Sequence, residues 1–350
     1  MRSIFITTIL FIICAFAPNP ASASGEISLQ GTTILRDGQP WIAKGVGIVG
    51  RSLPAAFTRN KHARAIFGTD ELESAKQFGA DLIRFQVSQG GSNPQSSIYS
   101  ADYVKEVKSA VEMARNLGFS VIVCVDGEGE RQSGLDERGM PNEKTQRAWR
   151  SLAPLFAADR GVMLELFNEP QPNGPDAVKP HNWNTWKKTM QPIVDEVRSL
   201  GAKNVLLVDG LLWAQVLKGA PQLEDPMSQI IYAVHPYYSK HLRNESDWDN
   251  KFGDFSDSHP VMATEWNATS RRNHCNNNTP NFAVNMLNYL KKKNIGLVYY
   301  AFDAASRLFI SDYKDGTLTN YEGFHCGPET NFDAGELLAR YFKGLTIPSP

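Results

Sequence analysis

The sequence has almost no net charge. Its 36 Lys and Arg residues are balanced by 37 Asp and Glu residues, which leaves a formal net charge of −1 at pH 7. Proteins that bind nucleic acid or anionic membrane surfaces generally show an excess of basic residues or a basic cluster. Neither partner is therefore expected. Internal repeats and long low-complexity segments are also missing, and 42% hydrophobic residues is ordinary for a globular protein.

Several catalytic signatures are absent as well. No glycine-rich phosphate loop stands at a predicted strand–helix junction, and Gly-x-Ser-x-Gly, a motif of serine hydrolases, does not occur. His241, His259 and His274 are scattered through predicted loops, and the asparagines at 276–278 lack the spacing of a calcium loop. We therefore expect no metal site and no cofactor.

Long hydrophobic runs are missing, too. The longest apolar segment, residues 4–17, is too short to span a membrane comfortably. It follows Arg2 and precedes Ala21-Ser22-Ala23, the pattern of a secretory signal peptide with a small-x-small cleavage site. We predict that residues 1–23 are a signal peptide and that the mature protein is secreted, outside the cell or into a periplasm, without membrane attachment. An uncleaved anchor is the alternative.

Only four cysteines are present. Cys14 belongs to the predicted signal peptide, and Cys124 lies in an apolar run typical of a buried strand, where a free thiol packs as a small apolar side chain. Cys275 and Cys326 both lie in Asn- and Gly-containing loops late in the chain. Because a secreted protein meets an oxidising environment, we predict a disulfide between these two.

Predicted strands and helices alternate through residues 24–350. Eight strands are expected, at residues 41–49, 80–87, 120–126, 161–168, 204–209, 230–235, 260–265 and 296–303. Helices are predicted between them, among them 102–117 and 143–156. In the first of these the apolar residues keep helical spacing and Gly118 ends the helix. The alternation predicts one (β/α)8 barrel domain, expected to be monomeric. Asp37-Gly38, between two apolar segments, predicts a short N-terminal β-hairpin cap.

Polar residues end most of the predicted strands. In a parallel barrel the C-terminal strand ends meet on one rim, where active sites lie. The clearest case is Leu166-Phe167-Asn168-Glu169-Pro170, an apolar strand end followed by an amide, a carboxylate and a proline that cannot continue the ladder. The polar residues at or just beyond strand ends are Arg84, Asp126, Asn168, Glu169, Asp209, His235, Tyr237, Glu265 and Asp303.

Two of these residues, Glu169 and Glu265, are expected to face one another across a cleft. A retaining glycosidase needs two carboxyl groups about 5 Å apart, one protonated to assist the leaving oxygen and one ionised to attack the anomeric carbon. Arg84 beside one carboxylate would lower its pKa and keep it ionised. The pattern therefore favours a retaining glycosidase.

Four segments of the sequence resemble motifs of glycoside hydrolase family 5, the cellulase-like family of retaining (β/α)8 glycosidases. They are Leu-Ile-Arg-Phe at 82–85, Leu-Phe-Asn-Glu-Pro at 166–170, His-Pro-Tyr at 235–237 and Ala-Thr-Glu-Trp at 263–266, in the family's order. The resemblance implies Glu169 as acid/base and Glu265 as nucleophile. It also implies that Asn168 binds the sugar 2-hydroxyl, that Arg84 contacts the nucleophile, and that His235 and Tyr237 complete the site.

The sequence departs from the family pattern at two strand ends. Strand three, where the family usually has a histidine, ends in Asp126, either a ligand for a sugar hydroxyl or a solvated turn residue. Strand eight, where the family usually has a tryptophan beneath the cleaved sugar, offers Tyr300 or Phe302. Both positions shape the sugar site, so the substrate preference is open. Because both glutamates are present, we expect activity.

Aromatic rings stack on the apolar faces of sugars. Trp266, directly after Glu265, is the first candidate for such a platform, and Trp213, after strand five, is the second. Trp186 lies within a predicted helix, so we expect it to pack in the core together with Trp41 and Trp149.

The sequence thus predicts a secreted, cofactor-independent retaining β-glycosidase acting on a β-linked polysaccharide or oligosaccharide. Endo-β-1,4-glucanase is the leading activity, with mannanase, xyloglucanase and β-1,3/1,6-glucanase open. Two hypotheses from other classes remain. One is a carbohydrate-binding barrel without catalysis, and the other is a metal-dependent hydrolase with Asp126, Glu169 and His235 as ligands.

Overall fold

A computed structural model describes most of the chain. The described residues are 25–58, 61–127, 139–171, 182–239, 242–267, 279–303, 313–314, 317–318 and 334–347. The predicted signal peptide and the predicted Cys275–Cys326 disulfide both lie outside these residues.

Eight parallel strands form a closed barrel, as predicted. After three short N-terminal strands, β1 (Ile27–Gln30), β2 (Thr33–Arg36) and β3 (Gln39–Pro40), the barrel strands follow in chain order. They are β4 (Lys44–Ile48), β5 (Leu82–Ser88), β6 (Ser120–Asp126), β7 (Val162–Glu165), β8 (Leu206–Asp209), β9 (Ile230–Val234), β10 (Val261–Trp266) and β11 (Gly296–Tyr299). β11 pairs with β4 and closes the barrel. A small hairpin, β12 (Tyr313–Lys314) and β13 (Thr317–Leu318), comes later in the chain.

Helices connect the strands on the outside of the barrel. The longer ones are Thr69–Phe78, Ala101–Asn116, Glu143–Phe156, Trp183–Ser199, Thr279–Lys292 and Ala334–Phe342. Shorter helical segments are Lys61–Ile66, Gln89–Ser92, Leu211–Ala214, Glu245–Trp248, Asp249–Gly253, which is a π-helix, and Asp254–Ser256. None of the helices in the described part of the chain combines the length and the apolar character needed to cross a bilayer.

Local sequence explains where these helices begin and end. Glu143–Phe156 starts with a capping box, in which Asn142 accepts the N–H of Lys144 and Thr145 accepts the N–H of Asn142. Ala101–Asn116 starts at Ser100, whose hydroxyl accepts the N–H of Tyr103. Gly118, with φ of +87°, then supplies the left-handed turn that returns the chain to β6.

The N-terminal cap is more folded than predicted. The first predicted arm of the hairpin is itself a hairpin, because β1 and β2 pair around a turn at Gly31 and Thr32. β2 then pairs with β3 around Asp37-Gly38, and both turn residues have positive φ. Ile27 and Ile34 are buried with the side chains that fill the barrel, so the cap closes its N-terminal end. The opposite rim is left for the site.

Two apolar layers hold the barrel. Inward-facing residues such as Ile122, Met163 and Met262 fill its interior, and a larger layer lies between the strands and the helices. Cys124 is a buried free thiol inside the barrel, as predicted. Trp149 and Trp186 are fully buried in the outer layer, which confirms their predicted packing role. Trp41 is only partly buried, and its indole donates to Asp81.

Candidate active site

Arg84 lies at the centre of a buried polar cluster on the C-terminal rim. Its position on β5 points it into the barrel, where only 1% of it is exposed. Its guanidinium donates to both oxygens of Glu165 at 2.6 and 3.0 Å and to Glu265 Oε1 at 2.7 Å. It also donates to Asn168 Oδ1 at 2.8 Å and contacts Cys124 Sγ at 3.1 Å. One cation therefore holds residues of three other barrel strands, β6, β7 with its end, and β10, in fixed positions.

Glu265 is held by donors at both of its oxygens. Oε1 accepts from Arg84 and from Gln86 Nε2 at 2.9 Å, and Oε2 accepts from the Tyr237 hydroxyl at 3.0 Å. Burial alone would raise the pKa of this carboxyl, but the charges of His235 and Arg84 outweigh burial and lower the pKa. Glu265 is therefore ionised, and Oε2, with a single donor, is its less restrained oxygen.

Glu169 lies beyond the end of β7 in a left-handed backbone conformation, with φ of +51°. Asp209 Oδ2 accepts the Glu169 N–H at 2.9 Å, and His235 Nδ1 lies 3.0 Å from Glu169 Oε1. A positive φ is uncommon for a residue with a Cβ and needs such support from its surroundings. The Glu169 side chain is 15% exposed, against 5% for Glu265, so Glu169 is the more accessible of the two carboxyls.

A chain of hydrogen bonds orients the imidazole of His235. The Thr264 hydroxyl donates to Glu165 Oε1 at 2.9 Å and lies 3.0 Å from His235 Nε2. Because the threonine proton is used on Glu165, Nε2 carries the proton shared with Thr264. The other ring nitrogen, Nδ1, faces Glu169 Oε1. Burial opposes a charged imidazole, but Glu265 and Asp209 outweigh it and raise the pKa of His235 well above its usual value.

A β-bulge explains how two consecutive residues of β10 reach the same cluster. The register of β10 against β11 shifts between Ala263 and Trp266. Regular alternation would send only one of Thr264 and Glu265 inward. With the shift, Thr264 contacts Glu165 and His235 while Glu265 contacts Arg84. Bulges commonly re-aim side chains beside active sites.

Glu165 and Asp209 underlie the cluster. Glu165, the last residue of β7, is fully buried and was not predicted as part of the site. Burial favours its neutral form, but Arg84 and His235 outweigh burial and lower the pKa of Glu165 well below the usual range. Burial and the nearby Glu165 charge raise the pKa of Asp209 well above its usual value. An ionisable residue in an otherwise apolar buried strand requires a charged partner. The position of Glu165 within an apolar run was therefore the sequence signal that could have placed it in the site.

Asp126 and Asn168 form the next part of the rim. Asn168 is 4% exposed, accepts from Arg84, and directs its amide Nδ2 to Asp126 Oδ1 at 3.4 Å. Asp126 is also only 4% exposed. The alternative that Asp126 is a solvated turn residue is therefore wrong, and its side chain belongs to the cluster.

The structure separates the four aromatic candidates into two pairs. Trp213 lines a small recess together with Phe167, Asn168, Glu169 and Gln171, and the backbone at Leu212, Trp213 and Ala214 is left-handed. Tyr300 lies at the end of the last barrel strand, and its hydroxyl donates to Gln86 Oε1 at 3.3 Å. Both aromatics are partly exposed at the rim.

Trp266 and Phe302 do not line the cleft, contrary to prediction. Trp266 is 1% exposed and packs edge-on against Tyr299 in the outer apolar layer. Phe302 is fully buried there against Phe78. Neither ring is accessible to a sugar. The neighbouring Asp303 accepts the N–H groups of Val49 and Gly50 and thereby joins the ends of the eighth and first barrel strands.

The carboxylate and imidazole groups do not form an open metal site. Within the described residues, two sets have ligand atoms that all lie within 4.8 Å of one another: Glu165, Asp209 and His235, and Glu169, His235 and Glu265. Asp126 belongs to neither set, so the ligands proposed for a metal-dependent hydrolase are not brought together. The oxygens of Glu165 and Glu265 in these sets already accept hydrogen bonds from Arg84, Thr264 or Tyr237, and Arg84 supplies the positive charge. Asp209 Oδ2 accepts the Glu169 N–H, and His235 Nδ1 lies 3.0 Å from Glu169 Oε1.

The cluster places two carboxyls of different character across one cleft. One oxygen of Glu169 lies within 4.8 Å of one oxygen of Glu265, and His235 Nδ1 lies 3.0 and 3.7 Å from the two residues. This spacing matches the about 5 Å separation of retaining enzymes rather than the wider gap of inverting ones. The fold and the site therefore define a class: (β/α)8 proteins with paired glutamates at the ends of the fourth and seventh barrel strands.

Comparison with known proteins identifies the family within that class. The profile of the cellulase family, glycosyl hydrolase family 5, matches residues 60–306. The chain belongs to this family. Among solved structures, the β-glucanase SdGluc5_26A from Saccharophagus degradans shares 21% identity with a TM-score of 0.70, covering 94% of this chain and 98% of that one. The catalytic domain of Thermobifida fusca endoglucanase Cel5A shares 18% identity with a TM-score of 0.63, covering 91% and 98%.

Curated relatives match a shorter part of the chain. The manganese-dependent endoglucanase Eg5A of Phanerodontia chrysosporium is 26% identical over 201 residues, which is 53% of this chain and 47% of that protein. Endoglucanase A of Evansella cellulosilytica is 28% identical over 177 residues, which is 48% of this chain and 32% of that protein. The matched region thus spans about half or less of these relatives.

Proposed function

We propose that the chain is a secreted, monomeric retaining β-glycoside hydrolase that cleaves a β-linked glucan, with endo-β-1,4-glucanase as the leading activity. The observation that carries the proposal is the pair Glu169 and Glu265, whose nearest oxygens lie within 4.8 Å while Arg84 and Tyr237 hold the second residue. The relatives named above as endoglucanases support the substrate class. One of the similar solved structures is a β-glucanase in complex with cellotetraose, which also supports it.

The proposed reaction is a double displacement. Glu265 Oε2 attacks the anomeric carbon, the glycosidic C–O bond breaks with its electron pair going to the leaving oxygen, and Glu169 gives that oxygen its proton. In the second step Glu169 takes a proton from water, the water oxygen attacks the same carbon, and the Glu265 carboxylate leaves. The greater exposure of Glu169 suits its contact with that water. His235, at 3.0 Å, orients Glu169 through both steps.

Asn168, Asp126, Trp213 and Tyr300 are proposed to bind the sugar. Asn168 lies between Arg84 and Asp126, and the resemblance assigns this amide to the sugar 2-hydroxyl. Trp213 lines the recess next to Glu169, where the departing part of the glucan would lie.

A panel of polysaccharides tests the proposed function. We expect release of reducing sugar from carboxymethylcellulose and barley β-glucan, with less from xyloglucan, glucomannan, xylan and laminarin. Proton NMR of the first product should show the β-anomer before mutarotation, because two displacements retain configuration. Glu224→Ala, which removes an exposed carboxylate away from the site, is the control. Glucan binding without turnover would instead support a non-catalytic barrel, and loss of turnover with a chelator would support the metal-dependent hypothesis.

Trp213→Ala tests the proposed sugar platform. Removing a stacked aromatic ring costs about 1 kcal/mol of binding, so KM for a soluble glucan should rise about 5-fold while kcat changes little. Trp213→Phe should restore most of the affinity, because the ring face is kept. An unchanged KM in Trp213→Ala would contradict the assignment. Circular dichroism of both variants controls for disturbance of the left-handed turn.

A further inference from the structure

We propose that Gln86 is a positioning residue for Glu265 and that the Tyr300 hydroxyl holds Gln86 in its working orientation, so that the aromatic residue of the eighth barrel strand is coupled to the nucleophile. This inference rests on the proposed function. None of the motifs that pointed to the site contains Gln86. It lies two residues beyond Arg84 on β5 and therefore points to the same inward face.

The geometry links three side chains in a row. Gln86 is 5% exposed, its Nε2 donates to Glu265 Oε1 at 2.9 Å, and its Oε1 accepts from Tyr300 at 3.3 Å. An ionised carboxylate needs a donor, and the tyrosine hydroxyl supplies one. Both neighbours therefore favour the same orientation of the amide, with nitrogen toward Glu265 and oxygen toward Tyr300.

The consequence concerns the two oxygens of Glu265. Arg84 and Gln86 both donate to Oε1, from adjacent inward positions of one strand, and so restrict rotation of the carboxylate about its terminal bond. Oε2 is then left to face the cleft and Tyr237. Gln86 adds this restraint without adding charge. Because Tyr300 is partly exposed at the rim, a sugar that displaces its hydroxyl would also alter the restraint on the nucleophile.

The test uses three variants and a matched control. Gln86→Met keeps the length of the side chain but removes both polar atoms, and Tyr300→Phe removes only the hydroxyl. The third variant combines both changes. Tyr289→Phe is the control, because it also removes a hydrogen-bonded tyrosine hydroxyl, one that donates to Asp249 at 2.6 Å between helical segments outside the site.

We expect kcat/KM to fall about 10-fold in Gln86→Met, since a hydrogen bond to a charged group is lost, and roughly 3-fold in Tyr300→Phe. The acid limb of the pH profile should move to higher pH in both, because each change weakens donation to the ionised form of Glu265. In the combined variant the acid limb should lie where it lies in Gln86→Met, since Tyr300 acts on Glu265 through Gln86.

The pH readout can be assigned to Glu265 because its surroundings are otherwise kept. Glu265 faces Arg84 from β5, Glu169 from the segment after β7, and His235 and Tyr237 from the segment after β9. All of these groups are unchanged in the variants. Carboxyl NMR of 13C-glutamate-labelled protein, with Glu265 assigned through Glu265→Gln, follows the same titration without turnover.

Two results would overturn the proposal. One is an acid limb and a Glu265 titration that stay unchanged in Gln86→Met while thermal stability falls as in Tyr289→Phe, which would make Gln86 a packing residue only. The other is a further shift of the acid limb on adding Tyr300→Phe to Gln86→Met, which would separate Tyr300 from Gln86. If the wild-type protein hydrolyses no glucan, the proposed function fails, and the NMR titration still decides the role of Gln86.

Discussion

Glu265→Ala is expected to abolish glucan hydrolysis. Glu169→Ala should lose activity only on substrates with poor leaving groups, of which glucan is one. Removing a nucleophile from a covalent mechanism lowers turnover by about 10^5-fold or more. Loss of the acid/base costs about 10^3-fold on glucan, because the leaving alkoxide then departs without its proton. The loss of activity on replacing Glu169 thus depends on the leaving group of the substrate, whereas the loss on replacing Glu265 does not. This difference tests which glutamate is the acid/base and which is the nucleophile.

A pair of substrates separates the two roles. With an aryl cellobioside whose phenol is a good leaving group, Glu169→Ala should still form the glycosyl-enzyme intermediate and show a burst of phenol release followed by slow turnover. Azide should accelerate that slow phase, because it attacks the intermediate without general-base help. Glu265→Ala should show no burst. Equal losses on both substrates in both variants would contradict the assignment, and Glu224→Ala should behave as wild type on each.

The fold could be predicted because each barrel strand and helix carries its own signal. The strand Ser120–Asp126 and the helix Glu143–Phe156 have the bounds predicted from the sequence. The strand is buried along its whole length, so an uninterrupted apolar run marks it, and the helix has a cap at Asn142 and a regular apolar face. The fourth barrel strand was predicted to end three residues too late, because the apolar run continues through Leu166 and Phe167 after pairing ends at Glu165.

Side-chain direction was the harder part of the site. Trp266 was predicted to line the cleft because it follows Glu265, but neighbouring residues of a regular strand point to opposite faces. With Glu265 inward, Trp266 had to face the helices, as it does. Counted from the inward-facing Met262, regular alternation turns Thr264 inward and Glu265 outward. The two could not both be placed inward from the sequence, because this depends on the β-bulge, and nothing in Val-Met-Ala-Thr-Glu-Trp marks one.

The polar residues beneath the glutamates were hidden by their neighbours. Glu165 lies between Leu164 and Leu166, and Gln86 between Phe85 and Val87, so each sits in a run that predicts a buried strand. The alternation of side chains along a strand would have identified both residues as inward-facing. Gln86 shares a face with Arg84, and Glu165 pairs in register with the inward-facing Cys124. The motifs contain the residues proposed to contact substrate, whereas the residues that hold those side chains in place follow from strand parity.

The second large effect is expected at the ion pair of Arg84 and Glu165. Glu165→Gln removes the negative charge that compensates the guanidinium of Arg84, which is only 1% exposed. Removing one partner of a buried ion pair lowers the free energy of unfolding by about 3–5 kcal/mol. For a protein of this size the loss corresponds to a decrease in Tm on the order of 10 °C. Activity should fall about 10^2-fold even well below the new Tm, because Arg84 also positions Glu265 and Asn168, and small displacements in an active site are costly.

Asp225→Asn separates stability from catalysis. Asp225 accepts two hydrogen bonds from Arg198, at 2.7 and 2.9 Å, and the side chains of Asp225 and Arg198 are 2% and 8% exposed. Asp225 lies shortly before β9, at the N-terminal end of the barrel. The two residues therefore form a buried arginine–carboxylate pair of similar geometry far from the cleft. Differential scanning calorimetry should show a lowered Tm in both variants, but kcat at 25 °C should fall only in Glu165→Gln. If kcat is equal in the two, Glu165 serves stability alone. If it differs as expected, a carboxylate outside the substrate cleft fixes the cation that holds Glu265 and Asn168 in place.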